Sequence, residues 1–95
     1  MAESTEPEIT FIDYHAPWCG PCRAMEPVLE ELKGQYAGKI KFEEVNVDEE
    51  SERANKAGVM SIPTFHIVKA GKVFQTLIGY QAKEELEKQF KAALS

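Results

Sequence analysis

The period of the apolar pattern changes repeatedly along the first half of the chain, and this alternation constrains the fold more than any other feature. Ile9-Thr10-Phe11-Ile12-Asp13-Tyr14-His15 is rich in β-branched and aromatic residues and stops at Ala16-Pro17, which predicts a strand. Met25, Val28, Leu29, Leu32 and Tyr36 then recur at the spacing of one helix face, with Gly38 as a stop. Ile40 to Val47 reads as a second strand. Asp48 to Ala57 reads as a short polar helix with Asp48 or Ser51 at its N-cap and Gly58 at its C-cap. Beyond Ile62-Pro63, a third strand starting at Thr64 and a fourth from Val73 to Ile78 flank the turn Ala70-Gly71-Lys72, an antiparallel hairpin. Ala82, Leu86, Phe90, Ala93 and Leu94 mark one face of a closing helix.

The order βαβαββα predicts an α/β fold, a four-stranded mixed sheet flanked by three helices. Helices between the first three strands predict right-handed parallel crossovers. With 95 residues, 43% of them hydrophobic, the chain has material for one folded domain, assigned to 9–95 behind a flexible acidic tail over 1–8. No apolar run approaches the ~18 residues of a membrane span. The first residues are polar and acidic rather than basic and then apolar, so the expectation is a soluble, cytoplasmic protein without a membrane partner. The net charge of −5 and the absence of a Lys/Arg cluster argue against nucleic acid. Glu3, Glu6 and Glu8 carry three of those excess charges, so the body from Ile9 onward is nearly balanced.

Trp18-Cys19-Gly20-Pro21-Cys22 stands at the first strand-to-helix junction. Such a Cys-x-x-Cys serves as a redox pair, half of a zinc site, or packing. Zinc wants four ligands, and only His15 and His66 remain to complete a set, so no metal site is assigned. Packing is disfavoured by the Gly20-Pro21 turn and by Trp18, which suggests a solvent-facing rim. The redox reading has a mechanism. A helix beginning near Cys19 turns its unpaired N–H groups and positive dipole end toward that sulfur and favours thiolate, which makes Cys19 the nucleophile. Cys22, one turn further in, is shielded and acts as the resolving thiol. Pro21 suits a first turn, where its missing N–H would go unpaired anyway.

With the helix proline Pro27, the segment Ile62-Pro63-Thr64 and Gly79, in this order and spacing, the chain resembles the thioredoxin family over roughly Ile9 to Leu94. The resemblance implies a protein-disulfide reductase that cycles between the Cys19/Cys22 dithiol and disulfide and binds no other cofactor. It implies regeneration by a reductase, normally an NADPH-dependent flavoprotein, with monomer as the default state. Gly-Pro between the cysteines resembles the reducing members of the superfamily. A cis Ile62-Pro63 bond is implied too, presenting the Ile62 backbone as a pairing edge for an extended substrate. The substrate-binding surface so implied comprises Trp18, Gly20, Pro21, Met60, Ser61, Ile62 and Pro63, with Pro27 and Gly79 in structural roles. Pro27 kinks the active-site helix by depriving the Arg23 carbonyl of its partner. Asp13 matches the family's buried aspartate, which takes the proton of the resolving cysteine.

Departures from the family sharpen these expectations. Relatives often place a lysine near this aspartate, at the position of Glu44 or of Glu26; both are glutamate here, which predicts a raised Asp13 pKa. His15 replaces a common tryptophan and reads as a rim filler rather than an electrostatic tuner, and Ser61 stands where glycine is frequent. The family usually begins with a further strand and helix, so this chain reads as a short form lacking that βα unit. Phe11, Asp13, Ile40, Phe42, Glu44, Phe65 and Ile67 alternate onto one sheet face. The opposite face carries Lys41, Glu43, Thr64 and His66, which read as solvated surface. The second strand, with its charges, is then expected at the sheet edge. The rival to an enzyme is a binding module that holds partners on the apolar rim of Trp18, Met60 and Ile62. Oxidation or isomerisation in a secretory compartment is a third reading, disfavoured by Gly20-Pro21.

Overall fold

In the computed structural model, which describes residues 7–95, the elements run β1 (Ile9–His15), α1 (Gly20–Ala24), α2 (Glu26–Gln35), β2 (Ile40–Asn46), α3 (Ser51–Lys56), β3 (Thr64–Lys69), β4 (Lys72–Ile78) and α4 (Lys83–Leu94). The sheet order is β2-β1-β3-β4. Most of the expected acidic tail lies outside the described residues; within it, the Glu8 carbonyl accepts a hydrogen bond from Ala70 N at 3.1 Å.

β1 and β2 pair in parallel, Ile9 opposite Ile40 through His15 opposite Asn46, and α1 with α2 forms the crossover between them. The expected single helix is two segments. Pro27 lies in the first turn of α2, and without its N–H the Arg23 carbonyl cannot continue an unbroken ladder, so the chain breaks at Met25. Met25 itself is fully buried and anchors the break in the core.

The third strand corrects a prediction. β3 runs antiparallel to β1, Tyr14 opposite Thr64 and Ile9 opposite Lys69, so the passage from β2 to β3 is no parallel crossover. Asn46 and Thr64 both lie at the end of the sheet where β1 terminates. A six-residue helix spans only about 9 Å, too short to carry the chain back along a strand of about 23 Å. α3 therefore stays at one end, and β3 starts where β2 stopped. Its cap differs as well: Glu50 precedes it without a side-chain cap bond, while Asn46 Oδ1 accepts from Asp48 N at 2.9 Å and ties the preceding turn.

One sheet face builds the main core. Ile9, Phe11, Ile40, Phe65 and Ile67 pack against Met25, Leu32 and Tyr36 from the first helical pair and Leu86, Phe90 and Ala93 from α4. Phe90 meets Phe11, Tyr36 and Phe42 edge-on with ring centres 5.1, 5.1 and 5.8 Å away. On the other face Ile12, Tyr14 and Val45 pack with Ala54 of α3, and Val59 and Val68 lean on them. That face is less solvated than the sequence suggested. Thr64 and His66 are buried, Thr64 Oγ1 donating to the Ser61 carbonyl at 2.6 Å and His66 packing edge-on against Tyr14 at 5.1 Å. Burial pushes the His66 imidazole below its ordinary pKa. Lys41 is exposed and Glu43 half-buried, each near the other, and Glu43 also pairs with Arg53 of α3.

Among the described residues β2 is one edge of the sheet, as expected, and β4 the other. β3 and β4 turn through Ala70 and Gly71, both at positive φ, the feature of a two-residue hairpin turn whose twist matches its strands. The exposed edge strand β4 is followed by Gly79, whose φ of +87° disfavours any side chain and whose N–H donates to the Pro63 carbonyl at 2.8 Å.

Candidate active site

The site lies beyond the C-terminal ends of the parallel pair β1 and β2. The chain leaves β1 through Ala16-Pro17-Trp18, and Cys19 N donates back to the Ala16 carbonyl at 3.1 Å, which fixes Cys19 at the N-cap of α1. Its sulfur accepts the backbone N–H of Cys22 at 3.2 Å, a first-turn donor no carbonyl can reach. Cys19 and Cys22 are joined in a disulfide across Cα atoms 5.2 Å apart. Both are buried in a small cluster with Ala16, against which Val47 and Ile62 pack. The expected contrast between an accessible Cys19 and a shielded Cys22 is therefore not present in the disulfide form; what separates them is position, one at the cap and one inside the turn.

Two depressions flank the disulfide. The larger is an open groove of about 420 Å³ lined by Trp18, Val47, Ser51, Ala54, Asn55, Val59, Met60, Ser61 and Ile62. Trp18 and Met60 are largely exposed on its rim, and the Trp18 indole donates to Asp48 Oδ2 at 2.8 Å. Of the residues that resemblance assigns to substrate binding, Trp18, Met60, Ser61 and Ile62 converge here. Gly20 and Pro21 are exposed at the helix start outside the groove, and Pro63 is fully buried, joined to Ile62 by a cis peptide bond. Val47, Asn55 and Val59, which line the groove, and Asp48, which holds the Trp18 indole, were not anticipated. Nothing in their spacing marks them, because they meet only when α3 folds back over the strand ends.

The second depression, about 240 Å³, opens on the Cys22 side and is lined by Asp13, His15, Ala16, Pro17, Cys22, Glu26, Leu29, Glu30 and Glu44. Asp13 lies at its floor, 9% exposed, and its Oδ1 has no hydrogen-bond partner among the described residues. Burial pushes its carboxyl up to about 6; His15 opposes the shift, while Glu44 and Glu26 add to it. His15 Nε2 lies 3.7 Å from Glu44 Oε1 at the mouth of this cleft. Glu30, one helical turn after Glu26, was the residue sequence reasoning missed. Among the described residues no cluster of three or more His, Cys, Asp or Glu side chains is arranged to hold a metal ion.

An α/β fold that presents a Cys-Gly-Pro-Cys disulfide at a helix N-terminus, with a buried carboxyl in the cleft beside Cys22 and an open groove lined by the neighbouring Trp18, Val47 and Ile62, defines a dithiol–disulfide oxidoreductase. Comparison with known proteins agrees. The sequence model of the Thioredoxin family matches residues 3–92, and the chain belongs to that family. It is 46% identical over 86 residues to the thioredoxin of Bacillus subtilis, covering 90% of this chain and 82% of that protein. With the thioredoxin of Alicyclobacillus acidocaldarius it shares 49% over 79 residues, covering 83% and 75%. Among solved structures, a mutant thioredoxin from Halobacterium salinarum superposes with a TM-score of 0.88 at 27% identity, over 96% of this chain and 79% of that one. Oxidised mitochondrial thioredoxin 3 from Saccharomyces cerevisiae gives 0.84 at 34%, over 93% and 81%. The activity that follows is protein-disulfide reduction by thiol–disulfide exchange.

Proposed function

We propose that Cys19 attacks, Cys22 resolves and Asp13 takes the proton. In the reduced protein the Cys19 thiolate attacks one sulfur of a substrate disulfide; a mixed disulfide forms and the other substrate sulfur leaves as thiolate. Cys22 then attacks the Cys19 sulfur as its proton passes to Asp13, the bond from Cys19 to the substrate breaks, the second substrate sulfur leaves as thiolate, and the protein retains the Cys19–Cys22 disulfide. Two electrons have moved to the substrate. The observation that carries the assignment is the bond from Cys22 N to Cys19 Sγ, because a donor aimed at that sulfur stabilises it as a thiolate.

The groove between Trp18 and Ile62 is read as the seat of an extended substrate segment, with Met60 and Ser61 along its side and Pro63 beneath. Gly20 and Pro21 shape the exposed approach to Cys19. Pro27 and Gly79 act structurally, one breaking the helix and the other tying β4 to the Pro63 carbonyl. The reaction needs no bound cofactor beyond the Cys19–Cys22 disulfide. The dithiol is regenerated by an NADPH-dependent flavoprotein reductase, so the protein carries electrons in cell redox homeostasis. It works as a monomer, and a reducing compartment such as the cytoplasm suits a reductant of this kind.

Reduction of insulin by dithiothreitol tests the roles. Wild type accelerates precipitation, Cys19→Ser is inert, and Cys22→Ser accumulates a mixed disulfide through Cys19. A Cys19→Ser protein as active as wild type overturns the assignment.

A further inference from the structure

The cleft on the Cys22 side has a composition that proton transfer alone does not require. Asp13 and Glu44 enter it from β1 and β2, Glu26 and Glu30 from α2, and its one basic lining residue is His15, near Glu44 already. Lys33 does not line this cleft; it borders a much smaller neighbouring depression that Asp13, Glu30 and Glu44 also line. At its floor Asp13 presents a buried oxygen without a donor among the described residues. A cation seated among the cleft's carboxylates is attracted to the Asp13 carboxyl through space, without contact with the buried Oδ1. The volume, about 240 Å³, admits one long side chain, and three glutamates surround its mouth.

We propose that this cleft is a recognition subsite for a lysine or arginine side chain of the substrate protein, seated beside the disulfide under reduction. The ammonium or guanidinium group reaches toward Asp13 between Glu26 and Glu44, while the flanking substrate segment lies in the groove on the other side of the disulfide. The two depressions thus ask different things of a substrate, an extended apolar segment on one side and a positive charge on the other. This rests on Cys19 and Cys22 as the exchanging pair.

Two disulfide peptides differing only in lysine or Nε-acetyllysine beside the cysteine test it. At low salt wild type reduces the lysine peptide about fivefold more efficiently in kcat/KM, the ratio expected of a partly exposed ion pair of about 1 kcal/mol. Glu26→Gln with Glu44→Gln brings the ratio close to one, whereas Glu84→Gln with Glu87→Gln on α4, outside the cleft, leaves it intact. A wild-type ratio near one overturns the subsite. So does a ratio that survives the cleft variant, or one that the α4 variant lowers equally, since net charge then explains it. Cys19→Ser reports the exchange chemistry separately: if it still reduces either peptide the Cys19/Cys22 assignment fails, whereas wild-type turnover of both peptides with no lysine preference sinks the subsite alone.

Discussion

Asp13 and Glu44 are register partners in the parallel pair β1 and β2, so two carboxyl groups stand side by side next to the disulfide and face one cleft. Neither of the two has a lysine beside it in that cleft, and burial does the rest: the Asp13 carboxyl is held at about 6, against 3.8 when exposed.

An acid whose folded pKa exceeds its unfolded one holds protons more tightly when folded. Its contribution to stability is full below the unfolded value of 3.8 and is lost as pH rises through about 6. Asp13→Asn is therefore expected to be more stable than wild type at about pH 8 by at most roughly 3 kcal/mol, a gain that shrinks toward pH 4. Urea denaturation across that range checks it. Carboxyl NMR of wild type should place Asp13 near 6, with a lower midpoint in Glu44→Gln.

His66 works in the opposite sense. Its imidazole is depressed below 6.5 by burial, so the stability it contributes is present above that value and is lost as pH falls through the folded pKa. In an Asp13→Asn background, which removes the opposing titration, His66→Gln should flatten the loss of stability below about pH 6.5. An unchanged acid limb would show that His66 is not the group responsible.

Trp18 is the sole tryptophan, and its indole is held by Asp48 across the rim of the groove. Asp48→Ala releases the ring. Fluorescence anisotropy should fall, and kcat/KM for protein disulfides should drop about fivefold, the worth of one hydrogen bond of about 1 kcal/mol. Stability should move by less than about 0.5 kcal/mol, since both groups lie at the surface.

Phe90 is fully buried where three aromatic rings from β1, α2's C-terminal end and β2 meet α4. Phe90→Ala should cost roughly 3–5 kcal/mol, most of the stability of a domain this small. Phe90→Leu, closer in volume, should cost less. Thermal unfolding followed by circular dichroism separates the two.

Much of the site was legible in the sequence because it is local. Cys19 and Cys22 stand three residues apart at a strand-to-helix junction, and the turn geometry of Gly20-Pro21 needs no distant partner. The direction of β3 was not legible, since apolar spacing reports which residues share a face and says nothing of the end from which a strand starts. His66 was misplaced for a related reason: a polar residue on a strand reads as solvated until the groups packed against it, here the Tyr14 ring, are known.

Read alone, then, the chain specifies its elements, its exchanging cysteines and its family, because each of these is written in spacing along a few residues. Tertiary packing settled the rest. The parallel register that sets Glu44 against Asp13, the return of α3 that builds the groove beside Trp18, and the meeting of Glu26 and Glu30 with both carboxyls across the cleft all join residues far apart in the chain. Electrostatics and burial depend on distances through space, so the pKa of Asp13 and the charge of its cleft exist only once those residues have met.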